Sequence, residues 1–183
     1  MDRLIAAIDR INARVAAFAM WLAVAMAVTQ LAIVVLRYVF AIGFIALQEA
    51  MWTMNGLFFM LGAGYTLARD EHVRIDVFRA RASDRSRALV DLFGAALFVL
   101  PLAVATVWLS WDYVLNSWWR LEGSRETSGL PVIFLLKTVL WVFAALFGLQ
   151  GLALAGRAAK ALAGGGPYRA AAPEFAGRPG EGP

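Results

Sequence analysis

Residues Val15–Leu36 read VAAFAMWLAVAMAVTQLAIVVL, a run without a charged side chain and with a single amide, Gln30. As an α-helix rising ~1.5 Å per residue it covers the ~30 Å hydrocarbon core of a bilayer. Arg14 and Arg37 bracket it, so charge returns where lipid gives way to water. Three more blocks follow the same plan: Ala50 to Ala68, then 89–111 (charge-free from Leu92 to Trp111), then Val132 to Gly156, interrupted only by Lys137. Backbone polar groups cannot stay unpaired in lipid, and transmembrane strands would alternate over ~10 residues, so blocks of this length predict helices. The expected fold is all-α, an integral membrane protein with four transmembrane helices.

Composition agrees with that reading. The 183 residues are 61% hydrophobic and only 16% charged, against roughly 25% charged in soluble domains. A net charge of +4 and a pI near 10.0 raise the question of nucleic acid. The arginines sit in short segments between apolar blocks, which membrane topology explains without a nucleic-acid partner. With no cysteine there is no disulfide or thiolate site, and with His72 as the single histidine a bis-histidine haem within the chain is excluded. No cofactor or metal is expected, and an enzyme reading lacks a nucleophile or paired intramembrane carboxylates. The first apolar block exceeds the ~7–15 residues of a signal-peptide core, so it is read as a retained span.

Lys and Arg in successive flanks number 3, 1, 6, 2 and 4. The positive-inside rule then places both termini and the central loop in the cytoplasm. Trp108, Trp111, Tyr113, Trp118 and Trp119 gather at the outer end of span three, the level amphipathic rings favour. Residues 1–163 form the expected membrane domain. From Gly164 to 183 the chain is rich in Gly, Pro and Ala and reads as a disordered cytoplasmic tail.

A solute path needs polar groups near the bilayer midplane. The span centres fall near Met26, Phe59, Val99 and Phe143, all apolar, and Gln30 is the nearest polar group. Ionisable residues lie at span ends instead. Glu49 is expected to pair with Arg37 or Lys137; the alternative for Lys137 is to extend its stem toward water. Asp91 lies four residues after Arg87, the spacing of a local helical ion pair. His72 sits in Arg69-Asp70-Glu71-His72-Val73-Arg74-Ile75-Asp76, whose alternating charges and apolar groups suit a short interfacial helix on the inner surface. Ser83 is the expected cap of the next helix, with Asp84 at its positive end. Pro101 is expected to free the Leu97 carbonyl and kink span three, and Gly56, Gly62 and Gly64 offer close approach to a neighbouring helix.

Three stretches taken together, Arg37-Tyr38-Val39-Phe40, Gln48-Glu49 leading to Arg69 through Asp76, and Ser128-Gly129-Leu130-Pro131 with Lys137, resemble the small four-helix membrane subunit of tripartite ATP-independent periplasmic (TRAP) transporters. The likeness is to the dicarboxylate or mannitol/chloroaromatic type and runs from about Val15 to Gly156. It implies a large membrane subunit that carries substrate by an elevator motion and a periplasmic substrate-binding protein as partners, besides membrane lipids. It further implies a sodium gradient as driving force, a bacterial inner-membrane location and a scaffold role for this chain. On that reading Arg37, Glu49, His72, Arg74, Asp76 and Lys137 are candidates for structural or subunit contacts. Trp118, Trp119, Arg120, Glu122, Arg125 and Glu126, in the outer loop from Asp112 to Leu130, are candidates for docking the binding protein, or for anchoring on lipid. A free-standing channel or a cofactor-carrying membrane subunit is the competing expectation.

Overall fold

In a computed structural model, residues 1–72, 82–164 and 166–172 are described. They are all-helical, without strands. Helix α1 spans Asp2–Val39, α2 spans Ile45–Ala68, α3 spans Asp84–Trp119 and α4 spans Ile133–Leu162. By length and apolarity α1, α3 and α4 suffice to cross a membrane. Helix α2, which carries Asn55 and three glycines among its apolar residues, is not one of the three.

Helix α1 begins 13 residues before the apolar block, at Asp2. Ile5, Ile8, Asp9, Asn12, Ala16 and Ala19 are its buried residues, a stripe of i, i+3, i+4 spacing that needs a partner helix rather than water. That partner is α4. Lys160 Nζ reaches Asp2 at 2.7 Å, so the start of α1 and the end of α4 share one end of the molecule.

Three helix ends have a local cause. At α2, Arg69 is followed by Asp70 at φ 64; the Glu71 N–H caps the Thr66 carbonyl at 3.1 Å and the Asp70 N–H that of Leu67 at 3.2 Å. Helix α3 ends the same way, with Leu121 at φ 45, Glu122 N–H on Ser117 and Leu121 N–H on Trp118. Both are left-handed caps that satisfy orphan carbonyls, here without the usual glycine. Ser83 caps the start of α3 by accepting from the Ser86 N–H, with Asp84 in the first turn, as the sequence predicts.

Where the sequence predicts a kink at Pro101, a π turn over Ala95–Val99 precedes the proline, and the Leu100 N–H reaches back to the Ala95 carbonyl. One surplus residue in that turn moves the ladder out of step just before the proline, which has no N–H to offer.

Helix α4 is the axis of the molecule. Its most apolar window is 39% buried, against 6% for α1 and 11% for α3. Helices α1 and α2 pack on each other and on α4, and α3 packs along α4. Small residues on α4 allow this: at Gly151 an added Cβ would strike Val99 of α3, and at Gly148 it would lie 3.1 Å from Ala103.

The tail departs from expectation. Tyr168, Ala170 and Ala172 are buried, the first two joining a cluster with Leu67, Ala88, Ala95, Leu154 and Ala158. The Ala172 N–H donates to the Ala68 carbonyl at 2.8 Å and the Tyr168 hydroxyl to Asp91 at 2.6 Å. Composition alone missed this because small side chains need little area to seat in a groove, here one whose Ala68 carbonyl and Asp91 carboxylate accept from the returning segment. Residues 173–183, also assigned to that tail, lie outside the described part.

Candidate functional site

Polar contacts between helices gather at the two ends of the molecule. At the end away from the termini, the loop after α3 is folded on itself: Ser124 N–H donates to the Leu130 carbonyl at 3.0 Å, Gly129 N–H to Glu126 at 3.0 Å, and Glu126 N–H to Ser124 Oγ at 3.0 Å. Glu49, in the first turns of α2, closes this loop. Its carboxylate accepts from Ser124 Oγ on one oxygen and from the Leu130 N–H at 2.6 Å on the other. Gly129 is required there, since a Cβ would come within 2.6 Å of Glu49 Oε2 and overlap Ser124.

The pairing expected for Glu49 is therefore corrected. Lys137 pairs with Glu122 at 2.5 Å and lies 3.9 Å over the Tyr113 ring. Its side chain is 12% exposed, so it neither reaches Glu49 nor extends into water. The left-handed cap at Leu121 causes this, because it turns Glu122 back toward α4 one turn above Lys137. The ammonium holds the Glu122 carboxyl below its ordinary value by hydrogen bonding. Arg37 is exposed and makes no ion pair among the described residues.

Aromatic side chains join α3 to α4 beside this cluster. Trp118 Nε1 donates to Thr138 at 2.7 Å, Trp141 Nε1 donates to Ser110 at 3.1 Å, and Trp111 stacks on Trp141 with centroids 4.9 Å apart. Trp119 points outward at 84% exposure. Arg120, Arg125 and Glu126 are also exposed. Of the six loop candidates, Trp118 and Glu122 are thus tied to α4, and four present a free outer surface.

The opposite end holds a cluster that sequence reasoning missed. Asn12 Nδ2 donates to Gln150 Oε1 at 2.9 Å, Gln150 Nε2 donates to Asp9 Oδ1 at 2.8 Å, and Arg157 Nη1 lies 3.1 Å from both Asp9 oxygens. Asp9, Asn12 and Gln150 are at most 1% exposed. The available signal was the stripe of buried positions on α1, which runs through both Asp9 and Asn12. At Gly64 of α2 an added Cβ would collide with Asn12 Oδ1 and lie 3.2 Å from the Leu146 carbonyl. Three helices therefore cross at that glycine.

The local Arg87–Asp91 pair is also corrected: Arg87 pairs with Asp84 at 3.9 Å, and Asp91 accepts from Tyr168. The fold-back of residues 166–172 supplies a closer donor to Asp91 than the helix does. His72 packs edge-on against Phe147 at 6.0 Å. Among the described residues no three His, Asp or Glu side chains gather as metal ligands. Arg74 and Asp76 lie outside the described residues.

Between the two ends the helices meet through apolar side chains, among them Ala19, Leu61, Leu146, Val99, Ala103 and Gly148. A groove of about 990 Å³ between α3 and α4 is lined by residues such as Val104, Trp108, Ala145 and Leu149, with Asp112 its charged member.

Long apolar helices around a greasy middle, with charge kept to the ends, define a helical membrane protein. The chain belongs to the tripartite ATP-independent periplasmic transporters as a DctQ component, the family model matching residues 26–161. It is thus a small component of a TRAP transporter, a family of transport proteins rather than enzymes, whose systems combine a large membrane subunit with a binding protein. Comparison with curated proteins finds no match, and comparison with solved structures finds none.

Proposed function

We propose that this chain is the stationary scaffold of its transporter, holding the large subunit in the bilayer while the substrate-carrying part of that subunit moves. The observation that carries this reading is the apolar layer separating two polar clusters, which leaves no hydrated route through the chain itself. On this reading all four long helices cross the bacterial inner membrane. The termini are cytoplasmic, the Glu49 end is periplasmic, and sodium-coupled uptake of a small organic acid or similar solute takes place in the large subunit. The exposed Trp119, Arg120, Arg125 and Glu126 then form a docking surface for the binding protein, on a loop that Glu49 keeps in shape.

Reconstitution in liposomes tests both statements. The chain with binding protein alone is expected to move no substrate, and adding the large subunit is expected to restore uptake; transport by this chain without it would sink the scaffold reading. In the complete system, reversing Arg120 and Arg125 to Glu is expected to lower binding-protein-dependent uptake by about tenfold, since rim charges govern encounter. Unchanged uptake would reduce the loop to a lipid anchor.

A further inference from the structure

The outward side of the first turns of α1 is cationic and has nothing among the described residues to neutralise it. Arg3, Arg10 and Arg14 are all exposed. At ~100° per residue, spacings of seven and four bring all three within about 40° of arc. The acids of the same segment point the other way, Asp2 to Lys160 at 2.7 Å and Asp9 to Arg157 at 3.1 Å. Among the described residues the three arginines make no ion pair, and Arg10 spends its Nε on the Ala6 carbonyl of its own helix.

What lies beside the stripe identifies its neighbour. Trp21, 73% exposed, continues the same line toward the apolar block, and tryptophan marks the membrane–water boundary. Leu4, Ile11 and Phe18, exposed by 65%, 47% and 59%, run alongside it. Basic groups flanked by apolar groups on one helix face are the signature of a surface that meets headgroups and upper acyl chains together. The stripe is ~16 Å long, more than one headgroup layer of ~5–8 Å, and a 38-residue helix is ~57 Å long against a ~30 Å core. Leaning this face onto the bilayer accommodates both lengths.

We infer that Arg3, Arg10, Arg14 and Trp21 form a docking stripe for anionic phospholipid headgroups at the end of the molecule where α1 begins and α4 ends. Charge complementarity selects acidic over zwitterionic lipid, at about fivefold per arginine near the surface.

The test uses the full chain in mild detergent with equimolar phosphatidylglycerol and phosphatidylcholine, counting retained lipids by native mass spectrometry. The unmodified chain is expected to retain phosphatidylglycerol preferentially, and the Arg3→Gln/Arg10→Gln/Arg14→Gln variant to lose that preference at least about tenfold. Because these side chains face away from α4, its thermal midpoint is expected to stay unchanged. Should the triple variant fail to fold, Arg10→Gln alone and a salt series on the unmodified chain serve instead, with the preference fading as ionic strength rises. Equal retention of the two lipids, a preference that survives arginine removal, or one insensitive to salt overturns the inference. So does protection of the stripe from phenylglyoxal only when the large subunit is present, which would assign it to an acidic protein surface.

Discussion

Asp9 and Arg157 meet across 148 positions of sequence, and neither would be retained at 2% and 10% side-chain exposure without the other. Removing one partner of a buried pair strands the remaining charge, which costs roughly 3–5 kcal/mol, whereas replacing both by apolar groups is close to neutral. Asp9→Ala is therefore expected to lower the thermal midpoint of the detergent-solubilised chain markedly, and Asp9→Ala/Arg157→Met to recover most of the loss in a double-mutant cycle. Additive losses would show that the pair contributes little. At the other end, Glu122 titrates below its ordinary value of 4.5 because Lys137 hydrogen-bonds to it. A depressed carboxyl stabilises the fold above that ordinary value, and the contribution disappears as pH falls through the lower, folded value. Acidification from pH 5 downward is expected to destabilise the native chain more than Glu122→Gln, read as the difference between their midpoints; parallel curves would exclude the pair as the cause. Residue chemistry was the least legible part of the sequence. Glu49 and Lys137 were recognisable as important ends, but their partners depended on how the loop after Trp119 turns, which a left-handed leucine decides and no propensity announces.

Among the elements, the long helices followed directly from hydropathy, and three of them, α1, α3 and α4, are long and apolar enough to cross a membrane. Their ends followed less well: α1 runs on to Asp2 because Ile5, Ile8 and Asn12 pack on α4, an i, i+3, i+7 pattern that charge counting obscured. The three glycines of α2 looked alike in sequence and differ in place. Gly62 has open space around it, Gly56 lies 3.4 Å from Leu136, and Gly64 sits against Asn12 and Leu146. Gly64→Ala is thus expected to destabilise by about 1–3 kcal/mol through overpacking, while Gly62→Ala is expected to be neutral or stabilising through helix propensity. Thermal midpoints of the two variants decide it, and equal effects would contradict the crossing at Gly64.

For the molecule as a whole, the surface holds two amides that lipid does not explain. Gln30 on α1 and Asn55 on α2 are exposed at similar distances from the turn joining their helices, and with all four helices crossing the bilayer, as proposed, hydrocarbon would offer them no hydrogen bonds. A neighbouring transmembrane helix would supply them. The chain has no cysteine, so a benzophenone probe attached at Gln30→Cys or Asn55→Cys reports one place only. Photocrosslinks to the large subunit are expected from at least one; adducts confined to lipid at both would remove these faces from the interface. Which helix is central could not be read from hydropathy, although the small residues Ala144, Gly148, Gly151, Ala153 and Ala158 of α4 hinted at close neighbours on several sides.

That centrality bears on how the protein is made. A ribosome releases α1 and α2 as a hairpin and then α3, yet the helix on which all three converge emerges only after them. Until it is threaded into the bilayer, Asp9 has no Arg157 and α3 has no wall to lie against. Newborn chains therefore pass through an interval in which the α1–α2 hairpin and α3 are not yet joined, and a stop codon ahead of α4 is expected to yield a product that leaves them apart.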